Sequence, residues 1–245
     1  MHLIWHILFL GIAFFQMLFM GIQWAVFRRK EYVFYISYIA SVSLYILFRL
    51  QSATGLMDLQ WHPYLLELFD QPMIVFSYWM YVSFAETFLN VKKNNPAVYR
   101  YSRMLRMIFL LFVCIKSISI PLNFSEAFKA NSYAVAAVIM LCFAVPLVVS
   151  LIRRKDILNN FLLWGSLSFI TGGITGLVCS LLMPAYGKSN TVILLGVEIG
   201  VLVELLLLNT GFMLKNKILQ QQVIRGQQQI MEQLMKDKNA ESHTN

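Results

Sequence analysis

The sequence predicts an all-α polytopic membrane protein: a seven-helix transmembrane bundle followed by a C-terminal cytoplasmic helix. Three observations predict it. The chain of 245 residues is 58% apolar and only 13% charged, with 19 Phe, more apolar surface than a soluble core of that size needs. The apolar residues fall into seven runs of about 20 residues, the length of helix that crosses a ~30 Å hydrocarbon core at ~1.5 Å per residue. The Lys and Arg residues gather beyond alternate ends of those runs.

Taken in order, the first span is Leu3 to Phe27, closed by Arg28-Arg29-Lys30. The second is Tyr32 to Ala53, and the loop Gly55 to Leu68 that follows has no Lys or Arg. Phe69 to Leu89 is the third, with Lys92, Lys93 and Arg100 after it. Met104 to Leu122 is the fourth, entered through Arg103 and Arg106. Tyr133 to Ile152 is the fifth, with Pro146 as a kink and Arg153-Arg154-Lys155 at its end. Ile157 to Met183 is the sixth and Thr191 to Leu214 the seventh, joined by the short turn Pro184 to Asn190.

Sixteen Lys and Arg side chains lie on one side of these runs, and only Lys129 and Lys188 on the other. Cytoplasmic loops carry the basic excess, so the N-terminus is expected outside and the tail inside the cell (inner) membrane. An odd number of crossings is then required, and seven satisfies it. The net charge of +8 is thereby a topology signal and a contact for anionic lipid; no nucleic-acid partner is expected. The start lacks the basic n-region of a signal peptide, and the first run is too long for an h-region. Cys114, Cys142 and Cys179 stand far apart inside apolar runs and read as buried thiols rather than redox or zinc ligands.

The charged residues inside the spans are the candidate site. Arg49, Lys116 and Glu198 all lie within ~12 Å of the outer boundary, counted at ~1.5 Å per residue. Charges at that depth face the interior and are paired. If the three meet, one carboxylate against two cations leaves a positive charge over, which would suit a small anionic ligand. The alternative carries more weight: a structural ion pair, with Arg49 snorkelling to the interface. Glu204, near the midplane, is either a protonatable switch or a hydrogen-bonded structural residue. Glu86, near the inner end of span three, is a second switch candidate or else a simple interfacial pair with Lys92 or Arg103. Gly172 and Gly176 in span six and Gly196 and Gly200 in span seven form two GxxxG motifs at similar depth. Small residues let helix backbones approach, so these are expected to join spans six and seven, or else to build a homodimer. His2, His6 and His62 lack neighbouring carboxylates or Cys and read as interfacial polar residues, so no metal is expected. Trp61 to Tyr64 read as an interfacial anchor. No nucleotide, zinc-protease or serine-hydrolase motif occurs, and Lys215 lies too near the end of its span to bear a retinal. No cofactor and no enzymatic activity are expected.

Lys215 to Lys238 is rich in Gln, Lys, Leu, Ile and Met, and no Pro follows Thr191. Span seven is therefore expected to run on into the tail as one rod, with Gly226 as its weak point. The tail carries two competing heptad registers. One puts Val223 and Ile230 at a, with Leu219, Gly226 and Gln233 at d; the other puts Ile224 and Met231 at a, with Leu234 at d. The domain division is a membrane sensor over residues 1–214, a signalling helix over 215–238 and a disordered tail over 239–245.

Three stretches carry a resemblance. The first is Phe84-Ala85-Glu86-Thr87-Phe88-Leu89, followed by Lys92, Lys93 and Pro96. The second is Phe161 to Leu167, with Trp164, Gly165 and Ser166. The third is Glu198-Ile199-Gly200, then Glu204, Leu214 and Lys215. With these the chain resembles the membrane region of bacterial seven-transmembrane receptors with diverse intracellular signalling modules. The resemblance implies sensing outside or within the membrane and signalling inside through an attached module. This chain shows no sensor domain before span one and no output domain after Lys238, so it is either a fragment or signals through a separate cytoplasmic partner. The reading is a homodimeric sensor module in the lipid bilayer. The alternative is a small-molecule or ion transporter or channel lined by Arg49, Lys116, Glu198 and Glu204.

Overall fold

The computed structural model describes residues 2–54, 71–119, 148–149, 152, 156–182 and 191–244. All its regular structure there is helical: α1 (His2–Phe27), α2 (Lys30–Thr54), α3 (Gln71–Phe88), the single turn α4 (Val91–Asn94), α5 (Pro96–Ser119), α6 (Ile157–Leu182) and α7 (Thr191–Thr244). Four stretches are long and apolar enough to cross a membrane: Leu3–Phe27, Lys30–Leu50, Ile157–Thr175 and Leu194–Lys236. α3 and α5, which carry Glu86 and Arg100, Arg103 and Arg106, are not among them. The loop with Trp61 to Tyr64, most of the expected fifth span with Pro146 and Cys142, and the turn before Thr191 lie outside the described residues.

α1 shows how a membrane helix divides its surface. His6, Phe9, Ala13, Gln16 and Met20 are buried at steps of three and four, forming one face. Ile4, Ile7, Leu8, Phe14, Phe15, Leu18 and Ile22 are exposed. In water that would be a large apolar patch; in a bilayer it matches the lipid. Arg28, at φ 53°, turns the chain sharply from α1 into α2, and its amide donates to the Trp24 carbonyl at 2.7 Å. Asn90 ends α3 in the left-handed conformation at φ 50°, which asparagine tolerates well. The Asn95 side chain then accepts from the Val98 amide at 3.3 Å, and Pro96 is the first residue of α5; both are regular ways to start a helix. The expected inner loop before the fourth span is therefore mostly helical, and α5 begins eight residues before Met104.

α6 and α7 pack most extensively, side by side, and α2 packs on α3 and α1. Between α6/α7 and α1–α3 lies a layer of large side chains. Tyr35, Tyr38, Tyr81, Phe84, Phe88, Phe169 and Phe212 stack or tilt against one another at ring-centroid separations that include 5.0 Å for Tyr35–Phe84 and 5.8 Å for Tyr38–Phe169. The last helix is one unbroken rod of 54 residues, ~80 Å long at ~1.5 Å per residue. It passes through Gly226 without a break, since one glycine costs only about 1 kcal/mol in a helix of good formers. It also continues through 239–244, where the sequence suggested a disordered tail; Asn239 to Thr244 contain no helix breaker.

Candidate functional site

The polar residues of α7 fall on two edges of the helix, because eleven residues make about three turns. Glu198, Asn209 and Asn216 share one edge. Glu204 and Lys215 share another. Each of the five meets a polar partner on α1, α2 or α3.

On the first edge, Glu198 Oε1 lies 2.7 Å from His6 Nδ1 of α1, and both side chains are fully buried. The Trp5 indole lies within hydrogen-bonding reach of Glu198, and His6 Nε2 has no hydrogen-bond partner among the described residues. Three turns further along, Asn209 and Gln16 exchange two amide hydrogen bonds, at 2.5 and 2.9 Å. Two turns beyond, Tyr32 of α2 donates to Asn216 at 3.1 Å.

The second edge holds the centre of the bundle. Glu204 is fully buried, and the Tyr38 hydroxyl donates to its Oε2. Tyr81 lies with its ring 5.0 Å from that of Tyr38. The Tyr81 and Ser166 hydroxyls share a 2.8 Å hydrogen bond, and the Ser166 hydroxyl also lies 2.7 Å from the Leu162 carbonyl. Tyr81 also lies within hydrogen-bonding reach of Glu204, and the Tyr35 hydroxyl is buried with no hydrogen-bond partner among the described residues. Four helices thus meet at one carboxyl group: α2 through Tyr35 and Tyr38, α3 through Tyr81, α6 through Ser166 and α7 itself.

Lys215 closes this edge. Its Nζ donates to Glu31 Oε2 at 2.8 Å and to the Phe88 carbonyl at 2.7 Å, and lies 4.6 Å from the centre of the Phe88 ring. Arg29 lies 3.8 Å from Glu31. Glu31 sits in the first turn of α2 and Phe88 is the last residue of α3. A carboxylate suits a helix N-terminus and a cation suits the open carbonyls of a C-terminus, so one ammonium group ties two helix ends to α7.

On the face beside the Glu204 edge, α7 meets α6 through glycine. A Cβ on Gly172 would stand 2.6 Å from the Gly196 carbonyl and 3.0 Å from Gly200 Cα. One on Gly200 would stand 2.7 Å from the Ser168 carbonyl. Gly176 lies one turn along α6 from Gly172.

The other expected site residues are placed as follows. Glu198 and Arg49 do not come together among the described contacts; Arg49 lies 5.9 Å from the Tyr45 ring of its own helix. Lys116 is buried on α5. The partner of Glu198 is His6, a residue the sequence suggested was interfacial. Glu86 is bonded by Arg106 at 2.9 Å and by the Ser102 hydroxyl, not by Lys92 or Arg103. The reason is the helical phase of α5: Ser102 and Leu105 face inward, Arg106 flanks them, and Arg103 points out. Among the described residues no group of three His, Cys, Asp or Glu is placed to hold a metal. Sequence reasoning missed Gln16, Asn209, Tyr38, Tyr81 and the Glu31–Lys215 pair. For Gln16, Asn209, Tyr38 and Tyr81 the signal was present as lone polar groups inside apolar runs; Glu31 and Lys215 flank theirs.

The three stretches that carry the resemblance, far apart in sequence, converge here. Lys215 caps Phe88, and Gly165 faces the Glu204 side chain, which a Cβ there would meet at 3.5 Å. A family model described as 7TM diverse intracellular signalling matches residues 2–215. The chain belongs to that family. The 7TM diverse intracellular signalling family implies a membrane receptor-like signalling module, and the matched region ends at Lys215, the residue that ties α7 to α2 and α3. No curated protein and no solved structure matches the chain.

Proposed function

We propose that the chain is the membrane sensor and transducer of a signalling receptor, with seven spans, its N-terminus outside and α7 as the output element. It hands the signal to a cytoplasmic partner or to a fused output domain and is not itself an enzyme. The observation that carries this reading is the continuity of α7 from Thr191 to Thr244, together with its buried polar contacts to α1, α2 and α3. About 20 residues cross the membrane core, which leaves a projecting rod of roughly 50 Å at ~1.5 Å per residue. A displacement of α1–α3 reaches that rod through Glu198, Glu204, Asn209 and Lys215 without passing a flexible joint. The glycine contact has no slack, so α6 and α7 shift as a pair against the aromatic layer.

The test is a fusion of the chain to a reporter kinase, with and without a Gly-Gly-Gly insert after Lys217. The insert is expected to uncouple the kinase from the state of the bundle, read as loss of the response produced by Lys215→Met. A response that survives the insert unchanged reduces α7 to a tether. Proton or ion flux through the purified protein in liposomes would turn the reading to transport.

A further inference from the structure

We propose that the exposed stripe of α7 from Ile199 to Leu234 is the seam on which a second copy of this chain packs, forming a parallel helix pair with Ile224 and Met231 at its core. The proposal rests on the reading of α7 as the output element and names the surface on which that output is assembled.

Between Leu194 and Gln220 the exposed residues of α7 are Ile199, Val203, Leu206, Thr210, Met213, Lys217 and Gln220. They follow one another at steps of four and three without exception. That is the heptad repeat of a left-handed helix pair, on which each a/d residue inserts between residues of the facing helix. The same steps lead on to Ile224, Gln227, Met231 and Leu234, whose large side chains are 53%, 57% and 60% exposed for Ile224, Met231 and Leu234. The competing register of the tail, Leu219, Val223, Gly226 and Ile230, leads back to Asn216, Phe212, Asn209 and Leu205. Those residues face into the bundle, against Tyr32 and Gln16 among others. A straight α7 therefore offers only the Ile224 register to a partner from outside.

A second copy fits this stripe on three grounds. Two copies in one membrane have the same orientation and depth, so their α7 helices run parallel with the repeat in phase through both membrane and tail. Charge permits it: Arg225, Glu232 and Lys236 fall at outer heptad positions. The flanks of the seam, Val223, Ile230, Gln221, Gln228 and Met235, carry no charge, so no like charges meet there. Lys217 is the single charged residue in the seam; the Lys217 side chains of the two copies face each other, and one such polar a position sets register at a cost in stability. Area is sufficient for a pair. The seven apolar side chains of the seam are 42–70% exposed. At ~60–120 Å² of apolar surface each they give roughly 400–850 Å² per copy, or about 800–1,700 Å² for the two copies, which reaches the ~1,200–2,000 Å² total of a specific interface.

The test is disulfide scanning of the full-length chain in membranes. With Cys114, Cys142 and Cys179 replaced by alanine, single cysteines are placed at each position from 222 to 236 and at Leu206 and Met213, and oxidised with copper-phenanthroline. Dimer is expected to peak at 224, 227, 231 and 234 and to form at 206 and 213. Peaks at 223, 226, 230 and 233, a flat profile or absence of dimer would overturn the seam. Ile224→Glu, far from the bundle, is expected to lower cross-linking through Met213→Cys at least fivefold, and Glu232→Lys on the opposite face to leave it unchanged; equal effects would also overturn it. The insertion experiment is separate. A flat profile here with loss of response there removes the seam and leaves the rod. A heptad profile here with an insertion-tolerant response keeps the seam and removes the rod.

Discussion

Gly200→Ala is expected to destabilise the bundle by ~1–3 kcal/mol through overpacking. The added Cβ would stand 2.7 Å from the Ser168 carbonyl and 3.0 Å from Gly172 Cα, where ordinary contact begins at 3.4 Å. Both neighbours are backbone atoms, so no rotamer change relieves the clash. α6 has to retreat by roughly 0.7 Å, and a gap of that size forfeits about a quarter to a half of the dispersion energy of each contact around it. The same retreat stretches the 3.2 Å bond from the Ser168 hydroxyl to the Gly200 carbonyl. Helix propensity works the other way, by at most about 1 kcal/mol for alanine over glycine, so a measured loss understates the steric cost. Thermal unfolding in mild detergent reads the effect, at ~2–4 °C per kcal/mol for a chain of this size. Gly172→Ala, 2.6 Å from the Gly196 carbonyl, is expected to behave alike. Gly165→Ala meets only the Glu204 and Leu208 side chains at 3.5 Å, and Gly226→Ala meets nothing within 4 Å; both are expected within about 1 kcal/mol of the parent. Gly200→Ala unfolding together with the parent, or Gly165→Ala costing as much as Gly200→Ala, would refute the close-contact argument.

Glu204→Leu strips the Tyr38 hydroxyl of its acceptor and is expected to cost ~1–3 kcal/mol, whereas Glu204→Gln keeps an acceptor and costs less; the two are compared by thermal unfolding. Lys215→Met leaves Glu31 and the Phe88 carbonyl without their donor, an expected loss of ~1.5–3 kcal/mol for a charged hydrogen bond. Adding Glu31→Gln is expected to cost less than the sum of the single losses, because the two residues share one bond; strict additivity would show that they do not interact. A cysteine at Asn94 is expected to react with an impermeant thiol reagent only after the cell is opened, and one at Leu56 from outside; labelling of Asn94 in intact cells would invert the proposed topology.

The helices were legible because a helix in lipid satisfies its own backbone hydrogen bonds. Length and composition then suffice to find it, and α1, α2, α6 and α7 stand where the apolar runs lie. The partners were not legible. Glu198 and His6 are 192 residues apart, and depth counting places Arg49 and Lys116 at the level of Glu198 as well. Depth says which residues share a layer; only the order of helices around the bundle says which of them touch. Arg106 was missed in favour of Arg103 for a smaller reason, one turn of helical phase on a helix whose start was placed too late. The rod was legible in its helix formers, but the choice between its two registers was not. That choice depends on which face of the membrane half is already occupied by α1 and α2.

The polar contacts of α7 have a physical role that apolar packing cannot fill. Lipid tails are as apolar as leucine, so an aliphatic side chain that leaves a neighbouring helix for lipid loses little, and such contacts fix the rotation of a helix only loosely. A carboxyl, amide or ammonium group at membrane depth has no such alternative and holds to its partner. Glu198, Asn209 and Asn216 on one edge and Glu204 and Lys215 on the other therefore act as stops. Each is satisfied by one partner at one rotation of α7 and by none a few tens of degrees away. With glycine backbones holding α6 against the face beside the Glu204 edge and large aromatic rings packed on α7, the bundle is expected to accommodate α7 in discrete settings rather than along a continuum. Under the proposed function, a helix with discrete settings inside the bundle, and one exposed heptad stripe outside it, would convert a change in the membrane into a defined change of phase in the tail.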